Sequence, residues 1–218
     1  MSRKREFTAA RATRDEWLAQ LPLREYFVDH GATTEGREAL RCALEEGGER
    51  EIQRVLESHP RLLVQRLTSG MGWVIPQKRL GSEFVTDFLV AEELSPGFYW
   101  QAVELESPRV RMFTKTGDPS RYLVHAIRQI QDWRSWLESN QPYASRPQSE
   151  NGLGLIQISP RLPGLILIGR RQATSPKTNG LRRQMMADLR IEIRSFDSLI
   201  DTPERMPLYV RFGDLSWA

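Results

Sequence analysis

Residues 100–108 read WQAVELESP, a strand-like run carrying two glutamates one residue apart. Side chains alternate along a strand, so Trp100, Ala102, Glu104 and Glu106 share one face, and Gln101, Val103 and Leu105 the other. The two glutamates then stand about 6–7 Å apart at Cβ. Buried without compensation, they would repel each other and lose solvation, so one would protonate or both would hold a cation. The alternative is a wet sheet face on which the acids do nothing.

Upstream, EFVTDFLVAEE (83–93) is rich in β-branched and aromatic residues, and SPG (95–97) turns the chain into FYWQAVELE (98–106). The pair reads as a β-hairpin. Asp87 shares a face with Val85 and Leu89, in a run flanked by Phe84, Phe88 and Val90 where strands rarely carry an acid. A register that sets Asp87 beside Glu104 would supply oxygen ligands for a hard divalent ion. Mg²⁺ is typically held by one or two carboxylates with water and phosphate. Such an ion polarises a phosphodiester and acidifies an attacking water.

Downstream, GDPS (117–120) opens a long helix, with Ser120 as N-cap and Leu123, Ala126, Ile127, Ile130 and Leu137 as its buried stripe. Tyr122, Ala126, Gln129, Trp133 and Trp136 fall along an adjacent line, and His125 lies four residues before Gln129 on the same side. Gln129 could orient water or hold a phosphate, or it is a surface residue beside packed tryptophans. A polar loop is expected from Asn140 to Gly152. PGLILIGRR (163–171) reads as an interior strand, TNGLRRQMMADL (178–189) as a basic helix, IEIRSF (191–196) as a further strand and DSLIDTP (197–203) as a short helix.

The first 60 residues read as helical. Asp15 is a candidate cap for DEWLAQL, EGREALRCAL (35–44) has helical spacing, Gly47 and Gly48 break it, and EREIQRVLESHP (49–60) resumes it. LLVQRL (62–67) fits helix or strand, and GWVIPQ (72–77) is a short strand. Hairpin, helix, strand, helix and strand describe an α/β fold with a central sheet.

Composition narrows the function classes. The 218 residues include one cysteine, Cys42, which can form no internal disulfide and fits a reducing cytoplasm. The charged start MSRKREFTAARATRDEW has no apolar stretch behind it, so no secretory signal is expected, and LPGLILIG is far too short for a membrane helix. From 141 to 194 nine Lys/Arg face three acids, a basic stretch suited to phosphate backbones or simply to a solvated surface. Arg170, Arg171, Arg182 and Arg183 are its best candidates for nucleic-acid contact. His30, His59 and His125 show no zinc-ligand spacing. Ser107 and Ser159 stand in no triad context.

The ordered series LGSEFVTDFLV (80–90), WQAVELESP and MFTKTGDPSRYLVHAIRQIQDW (112–133) resembles the Shedu family of bacterial anti-phage nucleases and, more broadly, the PD-(D/E)XK endonuclease superfamily. The later IGRR (168–171) and IEIRSFDSLID (191–201) are similar to that family's terminal strand and helix, so the likeness runs over roughly residues 50–215. It implies a restriction-endonuclease-like core, a mixed central β-sheet flanked by helices, over residues 49–218 after a helical segment at 1–48. It also implies cleavage of DNA with Mg²⁺ or Mn²⁺, a role in phage defence in the cytoplasm, and assembly into homo-oligomers.

Carried onto this chain, the resemblance makes Asp87 the metal-binding aspartate, Glu104 the acid of the E-x-K signature and Gln129 the glutamine of the following helix. Glu57, with Glu51 in competition, matches the helix glutamate that completes the metal site in many members. One position departs: Glu106 stands where the family has lysine. Glu106 then acts as a base or second-metal ligand, or the site is degenerate and the chain binds nucleic acid or a partner without cutting. Lys78 or Lys115 is a candidate replacement for the lysine.

Overall fold

The computed structural model describes residues 21–29 and 32–201. The expected helix capped by Asp15, and His30, lie outside the described residues. Strand β1 (Phe27–Val28) is followed by helices α1 (Thr34–Glu46) and α2 (Glu49–Ser58), parted by the Gly47–Gly48 pair. Thr33 caps α1, its hydroxyl accepting the Gly36 N–H at 3.1 Å. The ambiguous LLVQRL begins as a one-turn helix, α3 (Arg61–Val64), started by Pro60 and burying Leu62, Leu63 and Val64.

Strand β2 (Gly72–Pro76) leads into a short hairpin of β3 (Arg79–Leu80) and β4 (Phe84–Val85), then β5 (Phe88–Leu94) and β6 (Gly97–Leu105). EFVTDFLVAEE is therefore not one strand. Its first part turns aside to pair with β3, and Thr86–Asp87 forms the break. The Thr86 N–H reaches the Lys78 carbonyl at 3.0 Å, and the Asp87 carbonyl accepts the Gln77 N–H at 2.9 Å. The Leu105 N–H at the end of β6 goes to the Asp87 carboxylate at 2.7 Å. A side chain thus takes a ladder donor just where the main-chain pairing of β5 stops.

Six strands, among the described residues, form one sheet in the order β1-β2-β5-β6, then β7 (Gly164–Leu167) and β8 (Ile191–Arg194). The first four are antiparallel neighbours, and β6, β7 and β8 run parallel. The parallel pairs are joined by helices α4 (Arg121–Ser145) and α5 (Pro176–Leu189). Both crossovers step the same way along the sheet, and a common right hand sets both helices on one face. That face buries Trp100, Ala102 and Ile166 against Leu123, Ala126 and Ile130 of α4, with Met185, Met186 and Leu189 of α5 at its margin.

The opposite face packs Val103, Leu105, Leu165 and Leu167 against α1, α2, α3 and the short α6 (Asp197–Ile200). Leu40, Ala43 and Leu44 of α1 share this core with Ile52 and Leu56 of α2, so the described helix of the 1–48 segment packs with the sheet. The result is a mixed sheet between two helical layers, consistent with a restriction-endonuclease-like core. Among the described residues no helix is long and apolar enough to cross a membrane.

The loop expected from Asn140 corrects to helix as far as Ser145, with Pro142 inside it. Proline costs α4 one internal hydrogen bond, but the last turn is held by tertiary contacts. Ala144 is fully buried, and Tyr143 meets Trp136 edge to face at 6.4 Å. The chain then doubles back, and Leu153, Leu155 and Gly154 donate to the carbonyls of Tyr143, Ala144 and Arg146.

Candidate functional site

The hairpin register pairs Phe88 with Val103 and Leu89 with Ala102, so one further step sets Asp87 across from Glu104. The register needed for a two-carboxylate site is therefore present. Glu104 and Glu106 follow Trp100 and Ala102 onto the face covered by α4, and both are buried, at 4% and 7% exposure. They line a cleft of about 530 Å³ at the end of the central β5–β6 pair with Asp87, Gln129, His125 and a residue that the sequence reading passed over, Glu49. Ser120 starts α4 by accepting the Leu123 N–H at 3.3 Å, and this start fixes which side chains of α4 face the cleft.

Four carboxylates in one cleft disturb each other's ionisation. Burial lifts the Glu104 carboxyl to about 10, aided by the charges of Asp87, Glu106 and Glu49. Burial also lifts Asp87 to about 6; the Leu105 N–H opposes the rise and Glu49 adds to it. Glu106 is raised by burial and held back by its hydrogen bond to His125. Glu49 is likewise raised by burial and lowered by His125. At neutral pH the cleft holds its charge uneasily, a pattern concentrated at functional sites.

Two acceptor atoms sharpen the reading. Gln129 Oε1 and Glu104 Oε2 are buried and meet no N–H or hydroxyl donor, while the Glu104 carboxyl shares a proton with the facing Asp87 carboxyl. An unsatisfied buried oxygen costs on the order of 1–3 kcal/mol, more when charged. Both atoms belong to residues of the same cleft. A donor set of carboxylate oxygens with amide and imidazole at its rim fits a divalent cation. His125 lies with one ring nitrogen, Nδ1, 3.2 Å from Glu106 Oε1, and its side chain is two-thirds exposed.

The other expected residues are distributed as follows. Glu57 sits two helical turns along α2 from Glu49; it does not line this cleft but an adjoining one that also includes Glu49 and Asp87, and it accepts from Gln53 at 2.8 Å. Glu51 forms an exposed ion pair with Arg54 at 3.0 Å. Neither Lys78 nor Lys115 lines the cleft; the Lys78 ammonium donates to the Leu153 carbonyl at 3.0 Å. Among the described residues the cations that do line it are Arg121, on the first turn of α4, and His125 when protonated. The Arg121 guanidinium rests over the Tyr122 ring at 4.7 Å and donates to its hydroxyl at 2.7 Å.

Arg170 and Arg171 are engaged internally. Arg170 is paired with Asp197 at 3.0 Å and largely covered, and Arg171 pairs with Asp201. Arg182 is half-buried near Met112 and crowded by Arg194 and Arg183, which lower its pKa after burial has done so. Arg183 is exposed. His59 ends α2 and packs beside Gly36. Ser107 and Ser159 hydroxyls accept the Arg109 and Arg161 N–H groups in local turns.

Glu49 is the site member that sequence reasoning missed, and His125, placed beside Gln129 by its spacing, was given no role in the site. The signal for Glu49 was the Gly47–Gly48 break, which fixes it as the first residue of α2. For His125 the four-residue spacing from Gln129 sets the side of the helix, and the Glu106 contact at 3.2 Å brings it into the site.

Fold and site together define a mixed α/β sandwich with a buried acidic cleft at the edge of its hairpin. Residues 47–200 match the family described as Shedu protein SduA, C-terminal, a span well over half the chain, and the chain belongs to this Shedu family. Membership points to anti-phage defence. No curated protein sequence matches the chain.

Proposed function

We propose that the protein is a divalent-metal-dependent DNA endonuclease of the Shedu type, acting in bacterial anti-phage defence within the cytoplasm and as a homo-oligomer. The observation that carries this reading is the meeting of the Asp87 and Glu104 carboxyls across the hairpin, with no N–H or hydroxyl donor at Glu104 Oε2 or Gln129 Oε1. Asp87 and Glu104 would hold Mg²⁺ or Mn²⁺, with Glu49 in the helix position that the resemblance assigns to Glu57. Such an ion supplies Lewis-acid polarisation of the phosphodiester and a more acidic bound water.

The remaining residues act around that centre. Glu106, steadied by His125 at 3.2 Å, accepts the proton of the attacking water, a role the missing lysine would have shared. Gln129 orients that water through its free Oε1. Arg121, exposed at the mouth, draws in a phosphate. Arg183 and the half-buried Arg182 extend the contact along the DNA backbone, giving affinity without base readout.

A second reading has its own support, the carboxylate at the lysine position: a degenerate nuclease fold that binds nucleic acid without cutting. Plasmid incubated with the protein in EDTA, Mg²⁺ or Mn²⁺, and scored for both retardation and nicking, separates the two. Metal-dependent nicking is expected. Retardation that ignores the metal, with no nicking in either ion, supports the binding module instead.

A further inference from the structure

The cleft has two corners. One, at Asp87, offers only oxygen. The other faces α4, where Glu104, Glu106 and His125 each present a ligand atom, all within 4.8 Å of one another. Ligand distances of about 2.0–2.6 Å let opposite donors of one cation lie up to about 4–5 Å apart, so the three span a single coordination sphere. Glu106 Oε1 and the imidazole Nδ1 are already neighbours at 3.2 Å, the spacing of adjacent ligands on one ion. Glu104 is 4% exposed, its Oε2 meets no N–H or hydroxyl donor, and its carboxyl is set against the Asp87 carboxyl. A buried carboxyl that meets another carboxyl and no N–H or hydroxyl donor needs a proton or a cation, and this is the independent sign of a missing ligand.

We infer that Glu104, Glu106 and His125 form a coordination position for a divalent transition-metal ion, with the His125 imidazole as its nitrogen ligand. The inference rests on the reading of the cleft as a cation site and adds a nitrogen donor to it; with the ion in place, Glu106 is a ligand and no longer the proton acceptor. Carboxylates alone suit Mg²⁺ and Ca²⁺, whereas an imidazole ligand adds affinity for first-row transition ions, least for Mn²⁺ among them, and adds little for Mg²⁺. The exposed edge of His125 gives the ion a path from solvent, and its seat on α4 fixes the ligand's direction. Where a lysine would have set one fixed positive charge, this chain places a carboxylate and an imidazole, which together recruit the charge from solution. Discrimination between Mn²⁺ and Mg²⁺ then resides in one side chain of α4.

The test uses the full chain, stripped of metal and titrated with Mn²⁺. Pulsed electron paramagnetic resonance of the Mn²⁺-loaded protein should show modulation from a directly bound nitrogen, lost in His125→Ala. Mn²⁺ affinity should fall by about 10-fold or more in His125→Ala and in the isosteric Glu106→Gln, with Mg²⁺ affinity nearly unchanged in His125→Ala. His125 is exposed on a helix, so alanine there leaves the fold intact, and circular dichroism checks both variants. A smaller loss of Mn²⁺ affinity, or nitrogen modulation that survives in His125→Ala, overturns the inference. In that case Asp87→Asn still weakening Mn²⁺ would leave the oxygen corner standing. A wild-type chain that takes up no Mn²⁺ overturns both the inference and the cation reading.

Discussion

Asp87 is poised between two demands. Its carboxylate must accept the Leu105 N–H that closes the end of β6, yet burial and Glu49 push its pKa to about 6. Asparagine keeps the acceptor and removes the charge. Without metal at pH 8, Asp87→Asn should therefore stabilise the fold by on the order of 1–3 kcal/mol. Thermal melts in EDTA check this, and an unchanged or lower Tm would contradict it. At this scale the sequence was informative where alternation applied: the faces of Asp87, Glu104 and Glu106 follow from period-2 counting. It was blind to Glu49, because α2 meets the cleft end-on, and only its docking on the sheet decides which glutamate of 49, 51 and 57 arrives. Arg170 likewise looked free for DNA until Asp197, 27 residues later, came to lie against it.

The elements hold the site by their ends. α4 begins at Ser120, and its cap decides where Arg121, His125 and Gln129 fall. Ser120→Ala should cost about 1 kcal/mol, read as a lower denaturation midpoint at constant slope. The hairpin has a different weak point. Gly72 opens β2, and a Cβ there would run into the Ala91 carbonyl of β5. Gly72→Ala should be more damaging than the lost cap, because the obstacle is backbone that cannot step aside. Comparable midpoints for the two variants would count against this account of the sheet. Helix and strand identities were legible from periodicity and Gly or Pro punctuation. The division of EFVTDFLVAEE into β4 and β5 was not, since a carboxylate accepting a ladder N–H leaves no mark in composition. The last turn of α4 was also hidden, because the segment after Arg146 is what stabilises it.

At the scale of the whole molecule, the acidic cleft makes stability depend on pH. Asp87 and Glu104 have folded-state pKa values of about 6 and about 10, above their ordinary 3.8 and 4.5. Their contribution is thus fully present below the ordinary values and is lost as pH rises through the folded ones. In EDTA the Tm should climb as pH falls from 8 towards 5.5. Asp197, whose pKa is lowered, gives stability that is lost only in more acid solution. A divalent ion should raise the Tm more at pH 8 than at pH 5.5, since protons compete for the same oxygens. A Tm flat across this range in EDTA would contradict the shared burial of the two carboxyls. DNA contacts sort by the same logic of prior engagement. Arg183→Ala should weaken DNA affinity and flatten its salt dependence, while Arg170→Ala should lower stability and leave the salt slope alone.

The central claim is that the carboxylates meeting at Glu104 make a metal-dependent cutting site. The most direct measurement is the nicking of supercoiled plasmid by wild type and Glu104→Ala, each in Mn²⁺ and in EDTA, with circular dichroism confirming both folds. The account predicts that wild type nicks only with metal and that Glu104→Ala falls to the EDTA background. Undiminished cleavage by Glu104→Ala would contradict it.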